Sequence, residues 1–264
     1  MNMQTQNPTR IIFASFFKSG FKAKRMRVFI LLSLIPVVLM LAARVMETAG
    51  SLAANDSADF FANVMLVLYF QLLIPVLALF FGSTIVNEEL DNKTLVYLTT
   101  VPVSRRAVLL GKYLAAFLQA ALLVGGGFLL CFLAAAFTRL GQAAAWEELA
   151  VFLGTALLAL FCYSALFTIA GAFMKKSVLI GLFFVFGWES VVQYFPGITQ
   201  KFTIIHWIKS LLPVLPGQGG FLIFQLQPSP ALESVLMLLG AGCVFLFLAV
   251  FIFERKEYIL SDNA

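Results

Sequence analysis

Residues 149–174 read LAVFLGTALLALFCYSALFTIAGAFM, a run with no charged residue and no proline. Roughly 20 apolar residues cross the ~30 Å hydrocarbon layer of a bilayer, so this run is long enough to span one. It is too long and too continuous for a barrel strand, which alternates over about 10 residues. Lipid offers no partner to a free backbone N–H or C=O, so a helix is the structure the run must adopt. Five more runs read the same way: 28–46, 60–86, 107–137, 177–195 and 231–253. The whole chain, 264 residues, is 61% hydrophobic and 12% charged, with a mean hydropathy of +0.97. A soluble domain carries about 25% charge. The predicted fold class is therefore an all-α integral membrane protein, a single domain over 1–264 with six transmembrane helices.

Lys and Arg set the orientation. With both termini on the cytoplasmic side, the inner segments hold Arg10, Lys18, Lys22, Lys24, Arg25, Arg27, Lys93, Arg105, Arg106, Lys112, Lys175, Lys176, Arg255 and Lys256. The outer ones hold Arg44, Arg139, Lys201 and Lys209. Because the cations follow the inner loops, the net charge of +5 points to membrane topology and not to nucleic acid. The first run follows a 27-residue lead, long for a signal peptide, and is read as a span.

Ahead of that span, residues 10–27 place Ile12, Phe13, Phe16, Phe17 and Phe21 at helical spacing. Ser15, Lys18, Ser19, Lys22 and Arg25 take the other side. That pattern predicts an amphipathic helix in the inner headgroup layer, its cations toward anionic lipid. Between spans five and six lies a longer exit-side loop, 196–230. Within it Ile204, Ile205, Ile208, Leu211, Leu212 and Leu215 share one helical face, opposite Thr203, His206 and Ser210. This predicts an interfacial helix in which His206, the one histidine of the chain, is solvated. Cys131, Cys162 and Cys243 sit inside apolar runs without paired spacing, which suggests neither a disulfide framework nor a thiolate metal site. Gly125-Gly126-Gly127 lies in an apolar helix and Leu109–Tyr113 lacks the remaining residues of a phosphate loop, so no nucleotide-binding motif is present.

The polar segment 87–106 is the densest pattern in the chain. Glu88, Glu89 and Asp91 precede TLVYLTT, suiting a short helix that begins there, with Asp91 or Asn92 as its cap. Pro102 pushes Val101 out of the α region and stops that helix. Ser104 then caps a new helix starting at Arg105 and running into span three. The predicted shape is a structured cytoplasmic knuckle.

Here the sequence resembles the membrane (permease) subunits of ABC-2 type exporters. The residues that carry the resemblance are Glu89 and Asp91, Thr94-Leu95, Leu98, Pro102-Val103-Ser104-Arg105 and Leu110-Gly111-Lys112; Lys93 stands where the family usually has Gly. The resemblance implies a coupling element touching a separate ABC ATPase subunit, with Glu88, Glu89, Asp91, Thr94, Leu95, Pro102, Ser104, Arg105 and Lys112 as the coupling residues. It further implies two ATPase copies, a second permease copy, identical or related, and accessory subunits as candidate partners beside membrane lipid. No cofactor is expected in this chain, and ATP with magnesium is expected in the ATPase. The expected location is a bacterial plasma membrane.

For the pathway the candidates are the polar residues inside spans: Gln71, Gln119, Tyr163, Glu189 and Gln193. Single Gln residues more often tie helices together. An ATP-independent transporter or channel would show broken helices with convergent midplane charge or an internal repeat, and neither is evident. A membrane-embedded enzyme would need a cluster of His, Asp, Glu or Cys, which the sequence does not offer.

Overall fold

The computed structural model describes residues 8–49, 63–91, 104–136, 141–174, 176–193, 195, 198–212 and 228–255. Eight helical elements account for nearly all of them. They are α1 (Pro8–Lys22), α2 (Lys24–Thr48), α3 (Met65–Leu73 continuing as Ile74–Asp91) and α4 (Arg105–Ala135). Next come α5 (Ala143–Phe173), α6 (Ser177–Val192), the short α7 (Ile204–Leu211) and α8 (Ala231–Arg255). Five of these, α2, α3, α4, α5 and α8, are long and apolar enough to cross a bilayer. The fifth expected span is shorter than predicted. At about 1.5 Å per residue, α6 reaches less than the ~30 Å hydrocarbon thickness.

The bundle is organised around α5, which packs most extensively on α3 and α8. Its approach to α3 is backbone-close. A Cβ on Gly82 would sit 2.9 Å from the Ser164 carbonyl, and one on Gly171 would sit 2.9 Å from the Ser83 carbonyl. Small residues drive such contacts in lipid, where helices gain little from hiding apolar surface and much from close packing. Aromatic rings fill the layer between α3, α4 and α5: Tyr69, Phe70, Phe128 and Phe152 lie in mutual contact. Tyr69 donates to the Ser33 carbonyl at 3.2 Å, and its hydroxyl occupies the space left by Gly127. Of the glycine triplet only Gly127 is packed in this way; Gly125 and Gly126 face open space.

α1 does not lie alone. Thr9 and Ile12 abut Gly111, Phe16 lies near Lys112, and Gly20 meets Gln119, so α1 runs along the first half of α4 in the same direction. The ridge Ile12–Phe16–Gly20 faces α4. A second ridge of rings in contact, Phe13 stacked on Phe17 and Phe17 edge-to-face with Phe21, lies beside it, and Arg10, Ser15, Lys18 and Lys22 are exposed. At the far end of α4, Arg44 on α2 donates to the Ala134 carbonyl at 3.0 Å while pairing with Glu47. That is a cation placed at a helix C-terminus, where the dipole favours it. At the near end, Arg105 and Arg106 reach Glu254 on α8. Thr9 and Glu254 therefore lie at one end of the bundle.

Two expectations are corrected by this architecture. Helix α3 continues through Glu88 and Glu89 to Asp91, so these acids belong to the helix leaving span two and do not open a new one. The apolar run of the span and its polar tail share one uninterrupted backbone, with no proline between them to stop it. The short helix expected over 92–103, with Thr94, Leu95 and Pro102, lies outside the described residues. Second, α7 has no wet face opposite its apolar one. Ile205, His206, Trp207, Ile208 and Lys209 are all buried, because α7 is seated against α5 and α8.

Candidate functional site

The pathway candidates converge at the broken end of α6. Two helices depart from α-geometry on the way there. In α3 the stretch Met65–Leu73 is π-helical, with the Ile74 N–H reaching back five residues to the Tyr69 carbonyl. Pro75 follows and has no N–H to give the carbonyl of Gln71 four residues earlier. In α6 the stretch Phe184–Glu189 is π-helical as well, and the Ser190 hydroxyl takes up the Val185 carbonyl at 3.0 Å. Such wide turns recur at functional positions. Between the two stretches lies a narrow cleft lined by Gln71, Pro75, Tyr163, Val185, Glu189, Ser190, Gln193 and Ile205, with room for about one water molecule. Four of the five pathway candidates, Gln71, Tyr163, Glu189 and Gln193, thus share one wall system.

Glu189 is 5% exposed and fully engaged. Its carboxylate accepts from the Tyr163 hydroxyl at 3.0 Å, from the Ile204 N–H at 2.9 Å and from the Ile205 N–H at 3.1 Å. Those two N–H groups are the first of α7, whose own Thr203 gives no side-chain cap. A carboxylate from another helix thus does the work of an N-cap, satisfying orphan donors at the positive end of the helix dipole. Near the other end of α7, the Lys209 ammonium donates to Gln193 Oε1 at 2.7 Å. Because positions 189 and 193 are four apart, they lie on one face of α6. That face grips α7 at both ends. The Gln200 amide closes the intervening turn on the Gln193 carbonyl at 3.2 Å.

Burial pushes the Lys209 ammonium down to about 8, against the opposing influence of the Glu189 carboxylate. His206 is lowered by burial first and then by the Lys201 charge. Its Nε2 meets Ser229 Oγ at 3.3 Å, while Nδ1 has no partner among the described residues. The expectation of a solvated His206 is corrected: α7 turns this residue inward, next to Trp207.

Gln119 stands apart from the cleft. It is fully buried and donates to the carbonyls of Phe16 at 3.3 Å and Phe17 at 2.9 Å. It ties α1 to α4, the tethering role more usual for such a residue. In the polar segment, the Ser104 hydroxyl accepts from the Ala107 N–H at 3.4 Å, a long version of the expected cap. Arg105 points its guanidinium at the Glu254 carbonyl, 3.4 Å away. Lys112 lies 5.4 Å from the centre of the Phe16 ring. The side chains of Glu88, Glu89 and Asp91 lie outside the described residues.

Lys209 and Glu254 were not among the predicted site residues. A signal for Lys209 existed: it is one cation inside an otherwise apolar helical face, downstream of the one acid of span five. Glu254 gave none, because an acid at the end of a span reads as an ordinary flank.

The family model for "ABC-2 family transporter protein" matches residues 20–188. The chain belongs to this family, and with its five long apolar helices it is a multi-pass membrane protein, a membrane component of a transport system. A comparison with curated proteins gave no match. The matched region covers α2 to α5 and the polar segment, and ends one residue before Glu189.

Proposed function

We propose that this chain is the permease subunit of an ATP-driven ABC exporter in a bacterial plasma membrane. Two copies, identical or related, would enclose the pathway and bind two copies of an ATPase that holds ATP and magnesium. In this reading α6 is the fifth of six crossings, and both termini are cytoplasmic. The charge asymmetry supports that topology, as does the placement of Thr9 and Glu254 at one end of the bundle.

The carrying observation is the family match that runs through the polar segment 87–106. In this reading Glu88, Glu89, Asp91, Thr94, Leu95, Pro102, Ser104, Arg105 and Lys112 form the ATPase-coupling element. Gln119 makes α1 part of the same moving body. The cleft is the exit-side end of the pathway, and α7 is its closure, held by Glu189 and Gln193.

Co-expression with a cognate ABC ATPase is the test. The chain purified alone should hydrolyse no ATP, and the two subunits should co-purify in equal amounts as an active complex. Hydrolysis by the isolated chain, or an ATPase that never associates, overturns the proposal.

A further inference from the structure

We propose that α8 is driven together with α4, because the cytoplasmic start of α4 grips the end of α8. The inference rests on the coupling role of segment 87–106 and extends it to a helix remote in sequence. Two consecutive residues carry the grip. Arg106 Nε pairs with the Glu254 carboxylate, and Arg105 donates to the Glu254 carbonyl.

The electrostatics favour this arrangement from both sides. Arg105 and Arg106 occupy the first turn of α4, the positive end of its dipole, where cations are disfavoured. Glu254 of α8 supplies what they lack, a carboxylate and a backbone carbonyl. Arg255, the neighbouring cation, is turned back along α8 with its guanidinium 4.1 Å from the centre of the Phe251 ring, leaving Glu254 to α4.

Arg106 is 68% exposed, and exposed pairs contribute little to stability. Its distinctive effect is positional: it sets where the end of α8 sits relative to the first turn of α4. From there α8 lies against α5, with Gly242 against the Phe161 ring, and α5 carries Tyr163 into the cleft. A displacement of residues 104–106 thus has a packed route to the exit side through α8 as well as through α4.

The experiment uses the complex of the full chain with its ATPase. Arg106→Cys and Glu254→Cys are combined in a Cys243→Ala background and joined by a short, reducible bifunctional thiosulfonate reagent, whose reach matches that of the two side chains it replaces. Helices that move as one tolerate the bond, so the joined complex should hydrolyse ATP within about twofold of the reduced one. Separately, Arg106→Glu and Glu254→Arg should each lower hydrolysis by roughly fivefold, the scale of a coupled pair, and the double swap should recover most of it. Failure of the cysteines to join, loss of hydrolysis on joining that a reductant restores, or an unrescued swap overturns this inference while the complex still assembles. Absence of any complex with the unaltered chain overturns the coupling role itself, and this inference with it.

Discussion

Replacing Glu189 by Ala tests the clamp on α7 most directly. The change removes an acceptor from three donors: the Tyr163 hydroxyl and the Ile204 and Ile205 N–H groups. The Tyr163 and Ile205 donors are buried, and each buried donor left unpaired costs about 1–3 kcal/mol. Loss of an N-cap adds about 0.5–2 kcal/mol. The expected total is roughly 2.5–8 kcal/mol, which for a chain of this size lowers the melting temperature by about 5–32 °C. Glu189→Gln keeps the volume and one acceptor oxygen and should lose about half as much. Tyr163→Phe removes one donor with its acceptor still engaged twice, so it should cost about 1 kcal/mol. Thermal unfolding of detergent-purified variants at one fixed scan rate measures these differences, and hydrogen exchange at the Ile204 and Ile205 amides locates them. A melting temperature for Glu189→Ala within about 2 °C of the parent, with both amides still protected, would refute the clamp. A loss in Tyr163→Phe as large as that in Glu189→Ala would refute the ranking.

Three further outcomes are expected. Gln119→Leu should leave the span bundle folded but release α1, read as faster hydrogen exchange over residues 16–21 with little change at 120–135. Lys209 has its proton affinity depressed by burial, so between pH 8 and the ordinary lysine range the unfolded chain binds more protons than the folded one. Stability should therefore rise with pH through that window, and Lys209→Met should flatten the rise in melting temperature measured from pH 8 to 10. Ser104→Ala removes a long cap bond and should cost only about 0.5 kcal/mol, visible as fraying of residues 105–108 in hydrogen exchange.

The long spans were legible in the sequence because their signal is one-dimensional: an unbroken apolar run such as 149–174 needs no partner to be read. The helix starting at Arg105 was legible too, since Ser104 and Pro102 act within a turn of themselves. What eluded the sequence was the relation between elements. The amphipathic pattern of 204–215 is the same whether the helix floats in an interface or is folded back onto the bundle. Only Glu189, fifteen residues away, decides between them. Likewise Gln119 announced a polar group in a span, but its partners are backbone carbonyls of Phe16 and Phe17, which no side-chain pattern reveals. Glu88 and Glu89 were assigned to a new helix because acids favour helix starts, whereas the backbone of α3 simply carries on through them.

Each π-helical turn of α3 and α6 accommodates about one residue more than an α-turn would. Deleting a single residue from 184–189 would let α6 close into ordinary α-geometry with its two flanks still in phase, whereas the same deletion in an α-turn would rotate one flank by about 100° relative to the other. Only the second deletion would turn Glu189 and Gln193 away from the cleft. A relative lacking the extra residue, aligned through this helix without a gap, would pair cleft residues with residues of another face on one side of 184–189. Length differences are usually looked for in loops. A residue held inside a helix by a π-turn is a second place to look for them.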